Sequence, residues 1–326
     1  MKKRIISVLI MALLIFVGFQ ILGESSMILD SVKFSFSIWQ NNIFPSLFPF
    51  FMLSELLSYY GFIEFSSELC KGVMQKVFKM RGECAFILIL SLISGFPSNA
   101  KFTKELYEKG MIDEKEGSKI LTFTHFSNPL FILGTVSILF LNNKEVGYLI
   151  LICHYLGNLI IGLLFRNYHP SHSPKEKVSL KKAIDKMHNK RIHNEVRFGE
   201  MLTKALMNTI NTLFLILGIV TVFLVVTTII DHNLNITHYS QSILNGFVEM
   251  TQGLKYISIL EIPLKLKAIL SVMILSFGGL SVHMQIFSIL SDTKIKYLPF
   301  LTARILHAFI SSFLLFLSFD LWTYFW

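Results

Sequence analysis

Long apolar runs separated by short polar stretches organise the whole chain. Residues 5–23 are an uncharged run that follows Lys2, Lys3 and Arg4, and no A-x-A cleavage site follows it. This predicts a retained signal-anchor span with a cytoplasmic N-terminus rather than a cleaved signal peptide. Pro45 and Pro49 interrupt the next apolar run, which predicts an interfacial helix followed by a span over 44–61. Residues 66–81 are amphipathic, with Lys71, Lys76, Lys79 and Arg81 on the polar side, and read as a surface helix. A short uncharged helix over 84–100 ends in Ser94-Gly-Phe-Pro-Ser98, and a charged helix follows over 101–119. Further spans are predicted at 120–141, 146–165 and 205–230. Residues 231–261 are polar and partly amphipathic, and the apolar run 268–291 is interrupted by Gly278, Gly279 and His283. The last span, 297–326, carries Arg304 and His307 near its start and ends in Trp322, Tyr324 and Trp326, rings that favour the headgroup level.

Composition supports this pattern. Hydrophobic residues make up 53% of the 326 and charged ones only 16%, and the mean hydropathy is +0.59. A soluble chain carries about a quarter charged residues, so most of this surface must face something other than water. The predicted fold class is an all-α polytopic membrane protein with about 8–10 hydrophobic helices. The net charge of +9 is not a nucleic-acid footprint, because ten of the 30 Lys and Arg fall in the one substantial linker, 166–204. That linker divides the chain into an N-terminal piece (1–43), a first repeat (44–165) and a second repeat (205–326). Within it Leu180, Ile184 and Met187 recur at helical spacing, which predicts a basic helix lying on membrane lipid of the cytoplasmic leaflet. Cys70, Cys84 and Cys153 have neither metal-ligand nor disulfide spacing. No phosphate-binding loop, H-E-x-x-H, C-x-x-C or G-x-S-x-G is present, so the reading is non-enzymatic, with no catalytic residue, cofactor or metal.

The two halves echo each other. Leu90-Ser-Leu-Ile-Ser-Gly-Phe-Pro-Ser98 and Ile274-Leu-Ser-Phe-Gly-Gly-Leu-Ser-Val282 are both apolar helices that stop at small residues. Aligning Gly95 with Gly279 sets Asn99 against His283, and Glu55 and Glu249 lie at comparable places upstream. Paired, broken hydrophobic segments point to a transporter site near the bilayer midplane. Non-helical backbone at that depth must be buried in protein or line a wet cavity.

At these residues the chain resembles the sporulation integral membrane proteins of the nucleoside-recognition, or Gate-domain, superfamily. The resemblance is carried by Ser94–Lys101, Lys104–Gly110, Leu121–Phe131, His154–Asn158, Glu249–Leu254 and Phe277–Ser281, and it extends from about residue 44 onward. It implies two inverted repeats, each with a re-entrant hairpin, placed at the two Gly-Ser turns. It also implies transport of dipicolinic acid from the mother cell into the forespore, across the mother-cell-derived outer forespore membrane. Two other readings stay open: a transporter of nucleosides or another metabolite, and a non-transporting assembly factor acting through the 166–204 linker. Whether the chain acts alone or as a homo-oligomer is left open.

Dipicolinate is a planar pyridine with two carboxylates, so its site must supply positive potential. Ser98 is placed to cap the helix after Pro97, whose free N–H groups favour anions, and Lys101 lies in that first turn. His125 and Asn128 lie three apart, on one face of a predicted span, and Arg304 is a natural fork for a carboxylate. The candidate substrate-binding residues are Ser94, Gly95, Ser98, Asn99, Lys101, His125, Asn128, Gly279, Ser281, His283 and Arg304. His154 and Asn158 read as interhelical hydrogen-bonding groups. Ion coupling, if used, falls to Glu55 or Glu249.

Overall fold

The computed structural model describes residues 2–171, 177–193, 197–234 and 237–325. Parts of the 166–204 linker and the terminal Trp326 lie outside the described residues. The described chain is helical, with no strand. In order the helices are α1 (Lys2–Gly23), α2 (Ser25–Ile38), α3 (Phe44–Tyr59), α4 (Phe62–Val73), α5 (Cys84–Ser94), α6 (Ser98–Glu108), α7 (Glu114–Ile120), α8 (Lys144–Leu164), α9 (Leu180–His193), α10 (Phe198–Leu234), α11 (His238–Val248), α12 (Met250–Ile259), α13 (Leu264–Phe277), α14 (Gly279–Leu290) and α15 (Leu298–Phe325). Wider, π-type turns occupy Trp39–Ile43, Met74–Phe78 and Phe131–Phe140.

Five stretches are long and apolar enough to cross a bilayer: Arg4–Gly23, Lys144–Asn167, Phe198–Leu234, Leu264–Leu290 and Leu298–Tyr324. A sixth would be α2–α3 with α4, bent by 87° where Gly61 takes a φ of +82°. The protein is thus an integral, multi-pass membrane protein. α1 buries nothing along its apolar stretch, and Phe214, Val222, Phe309 and Phe313 are exposed on α10 and α15. In lipid such faces need no protein cover. The interior is formed where α8, α13 and α15 pack around Ile150, Val272, Leu275 and Leu315. A second core joins α4, α5 and α6 through Ile63, Phe86, Ile87 and Phe102, and α10 closes over α2 and α3 through Leu213, Val220, Ile38 and Phe51.

Three expectations are corrected. Residues 120–141 do not form one span: α7 ends at Ile120, the backbone is irregular to Pro129, and a π-type helix starts at Phe131. His125 and Asn128 therefore do not share a helix face. The chain does not fold back at Gly278–Gly279; α13 and α14 continue as one apolar stretch, Leu264–Leu290, broken at that point. The tight helical hairpin lies upstream, between α11 and α12, where a Cβ on Gly253 would collide with the backbone of Gly246. Only hydrogen fits at that crossing, so two helices read as polar and loosely amphipathic pack closely. α9 also packs on α4: Ala183 is buried, Lys186 reaches Glu68 at 2.8 Å, and the backbone of Met187 closes on Gly61, while Leu180 and Ile184 are exposed.

Candidate functional site

The two breaks meet at the irregular segment between α7 and Phe131. α5 stops at Gly95, whose φ is +75°; a Cβ there would lie 2.5 Å from the Asn128 amide nitrogen. The Phe96 N–H donates to Phe126 O at 2.8 Å. α13 stops at Gly278 (φ +94°) and α14 starts at Gly279 (φ +67°), and a Cβ on Gly278 would lie 2.9 Å from His125 Nε2. Positive φ at all three positions suits glycine alone among common residues.

Polar side chains satisfy the backbone that the breaks expose. Asn128 Nδ2 donates to Ile93 O (3.1 Å) and Ser94 O (3.3 Å) at the end of α5, while its Oδ1 accepts from the N–H groups of Leu130 (2.8 Å) and Phe131 (3.3 Å). His154 Nε2 accepts from the Ser127 N–H at 2.9 Å, and its Nδ1–H donates to Ser276 Oγ, also at 2.9 Å. Asn158 Nδ2 donates to His125 O at 2.5 Å. Arg304, fully buried on α15, donates from Nη2 to Thr122 O and to Asn158 Oδ1 (3.0 Å). Its Nη1 donates to His307 Nδ1 (2.8 Å) and lies 3.5 Å from both His125 O and Ser276 O. The Ser276 carbonyl closes α13 and the Thr122 carbonyl follows α7, so the guanidinium sits where helix ends concentrate negative charge. Arg304 is therefore a pin for broken backbone, and the expected fork offered to a ligand carboxylate is directed at carbonyls instead.

The other expected residues distribute around this hub. His125 is fully buried, stacks on Phe96 (4.6 Å, 10°) and meets Phe300 edge-on; neither ring nitrogen has a partner. His283 engages the Tyr297 hydroxyl at 2.6 Å and donates to Phe277 O at 3.0 Å. Ser98 does not cap α6, since its Oγ donates back to Gly95 O and Pro97 occupies the cap position. Ser94 Oγ donates to Leu90 O at 2.6 Å and meets Ser54 Oγ at 3.0 Å. Asn99 is fully buried with neither side-chain atom partnered. Ser281 Oγ donates to Glu249 at 3.4 Å.

Two spaces flank the breaks. A small, partly open cavity of ≈ 30 Å³ is lined mostly by apolar side chains, Phe96, Ile216 and Val282 among them, with Ser46, Asn128, Glu249, Thr251 and Gln285 at its polar positions, and has room for about two waters. It contains no lysine, arginine or histidine, and its one charged side chain is Glu249. Glu249 stands between α11 and α12 and caps α12, accepting from Gln252 N–H at 2.9 Å. Beyond it lies a half-open vestibule of ≈ 610 Å³ with Glu55, Ser58, Tyr59, Lys101, Asn208, Thr212 and Ile289 in its walls. Thr212 and Ile216 on α10, and Ile289 and Gln285 on α14, face vestibule and cavity respectively. Four residues on one helix is about one turn, roughly 5–6 Å, so a thin layer separates the spaces. Asn99 lies in sequence between Phe96 of the cavity and Lys101 of the vestibule.

Of the expected residues, only Asn128 lines the cavity and only Lys101 lines the vestibule. Reading the sequence assigned Glu249 a role in ion coupling alone and left Thr251, Gln285, Asn208 and Thr212 out of the site. The Glu-x-Thr-x-Gly stretch that ends at Gly253 was the available signal for Thr251. Outside the membrane, Lys104 beside Asp292 (2.7 Å) holds that carboxyl below its usual range. Lys119 is buried, donating to Lys79 O (3.2 Å) and Arg166 O (2.7 Å), and burial pushes its ammonium down to about 8. No cluster of His, Cys, Asp or Glu suited to a metal occurs among the described residues, and the three cysteines are free.

The Gate family, described as nucleoside recognition, matches residues 42–144. That stretch holds α3 to α7, the first break and the whole irregular segment. The sporulation integral membrane protein YlbJ of Bacillus subtilis (strain 168) is 32% identical over 328 residues, covering 93% of this chain and 80% of that protein. The chain belongs to the YlbJ family of sporulation integral membrane proteins. No solved structure matches it. The Gate match in this YlbJ-family chain ends just past the Phe131–Phe140 helix, so it contains Glu55, Lys101, His125 and Asn128 but none of the second-half residues that complete the cavity.

Proposed function

We propose that the chain is a membrane transporter for a small organic anion, dipicolinic acid, which it moves from the mother cell into the forespore through the mother-cell-derived outer forespore membrane, with its N-terminus in the cytoplasm. The observation that carries this reading is the small cavity between the broken segments of the two halves, apolar over most of its lining but edged by Asn128, Glu249 and Gln285, one helical turn from a half-open vestibule. Asn99, which lies in sequence between Phe96 of the cavity and Lys101 of the vestibule, carries two buried polar atoms without a partner. Buried polar atoms without partners are uncommon in folded proteins, and a layer that becomes hydrated when the path opens accounts for them.

Small-molecule sites usually enclose about 300–1,000 Å³. The vestibule reaches that size and the cavity does not, so cargo enters the vestibule first and the layer must part for it to pass. Facilitated diffusion suffices if cargo is made on one side and trapped on the other. An anion about 5 Å from an ionised Glu249 meets roughly 3 kcal/mol of repulsion at an effective dielectric near 20. Passage is therefore easiest when that charge is neutralised by a proton or a cation.

Cells lacking the protein should make dipicolinate but fail to load it into spores. Normal spore content in a clean deletion would dismiss the proposal. A second reading, an uncharged nucleoside-like cargo, is favoured by the amides of Asn128 and Gln285 and the absence of a cation in the cavity. Equilibrium binding of the purified protein to dipicolinate and to nucleosides separates the two.

A further inference from the structure

The vestibule floor presents one carboxylate held by two donors from different helices. Glu55, on α3, places Oε1 2.6 Å from Lys101 Nζ on α6. Its Oε2 accepts from Asn208 Nδ2, on α10, at 3.0 Å. Lys101 Nζ also lies 3.3 Å from Thr212 Oγ1 and 3.4 Å from Asn208 O. The Glu55 side chain is 8% exposed and that of Lys101 22%, so the pair is largely shielded from water, where charge-assisted hydrogen bonds are strongest. Lys104 and Lys109, nearer the rim, have other acids at hand, Asp292 and Glu105. The Lys101–Asn208 pair is thus a ready-made grip for any carboxylate, and it lines a half-open space of ≈ 610 Å³.

We propose that this grip is the carboxylate-binding site for cargo, and that Glu55 is a resident competitor which an incoming carboxylate displaces. Naming dipicolinate as that cargo rests on the transport reading above. The donors are arranged to take one carboxylate oxygen each, which is the geometry a carboxylate ligand requires. Glu55 occupies them intramolecularly and so lowers the apparent affinity for free anions. It also sits one turn from Phe51, which is buried in the α3–α10 core. Displacing Glu55 breaks its ion pair with Lys101 on α6 and its hydrogen bond from Asn208 on α10, the bridges that Glu55 makes from α3 to both helices. Cargo that binds the displaced form better shifts the population toward it.

The test is equilibrium binding of dipicolinate and of picolinate, which has one carboxylate, to the purified full chain in lipid nanodiscs. Glu55→Gln keeps the shape of the competitor and removes its charge; it should bind both anions at least ten-fold more tightly than wild type. Lys101→Met should bind them at least ten-fold more weakly, and Asn208→Leu should also weaken binding. Independently of any change to Glu55, dipicolinate should slow thiol labelling of Ile289→Cys in the vestibule wall. Unchanged or weaker anion binding by folded Glu55→Gln, alongside dipicolinate transport by wild type, would overturn the inference and leave the transport reading standing. Tighter picolinate binding by Glu55→Gln, with no dipicolinate bound by any variant, would support the carboxylate site and remove dipicolinate as cargo.

Discussion

Replacing Arg304 with Met separates a guanidinium that holds the fold from one that holds cargo. Met fills much of the volume and removes the charge. Five acceptors then lose a donor: Thr122 O, Asn158 Oδ1, His307 Nδ1, His125 O and Ser276 O. The last two, at 3.5 Å, are marginal as hydrogen bonds. The other three, at about 0.6–1.7 kcal/mol each inside a bilayer, amount to roughly 2–5 kcal/mol. Removing a buried charge returns part of its desolvation cost, which brings the expected net loss to about 2–3 kcal/mol. Arg304→Lys should do no better, because a single ammonium cannot span carbonyls that a planar fork reaches together. Unfolding of the purified variants in nanodiscs measures the loss. Amide hydrogen exchange across residues 121–130 locates it, with faster exchange expected there than in α10. Wild-type stability and exchange in Arg304→Met, together with abolished cargo binding, would refute the reasoning and return Arg304 to the role its sequence position suggested.

Other perturbations test other parts. Gly95→Ala adds a Cβ 2.5 Å from a backbone nitrogen at a φ of +75°, where an L-residue loses about 1–2 kcal/mol before any clash; folding yield and transport should both fall, whereas Gly134→Ala, with open space around it, should behave as wild type in the same assays. Glu249→Gln should raise the initial rate of dianion transport by several-fold and flatten its pH dependence; a slower rate with normal expression would remove the repulsion argument. Lys119 binds its proton less readily in the folded protein, where its pKa is about 8 against an ordinary 10.5. Between those values the unfolded chain holds more protons, so its contribution to stability should rise with pH from about 8 upward. The difference in unfolding midpoint between wild type and Lys119→Met should therefore change across that window; a constant difference would show that burial does not perturb the group.

The sequence made the long spans legible, and it did so through uninterrupted apolar length: α8, α10, the α13–α14 stretch and α15 lie close to where their apolar runs predict. It also marked both breaks, because glycines at Gly95 and at Gly278–Gly279 stop otherwise apolar helices. What it concealed was the irregular segment. Leu121-Thr-Phe-Thr-His-Phe-Ser-Asn-Pro129 is apolar enough to read as part of a span. Whether such backbone is helical depends on whether distant side chains satisfy it, and Arg304, Asn158 and His154 do so from α15 and α8. Residues read as cargo contacts or interhelical contacts are in fact that segment's hydrogen-bond partners. The cavity was similarly hidden. It was expected to be lined by cations, but the cations either satisfy helix ends, as Arg304 and Lys119 do, or lie beyond the layer, as Lys101 does. Glu249 entered the cavity because Gly246 and Gly253 let α11 and α12 close together, a packing event that leaves only two small residues as its trace.

The claim that the two broken stretches enclose the path of cargo is tested most directly by uptake. The purified chain, with Cys70→Ser and Gln285→Cys in the cavity wall, would be placed in liposomes containing terbium, whose luminescence reports dipicolinate entry. Saturable uptake should be seen, and a small thiol reagent added during transport should stop it. The same reagent should leave the Cys70→Ser parent unaffected. Uptake that continues after Gln285→Cys is fully labelled, or that never exceeds empty liposomes when the protein is folded, would contradict the account.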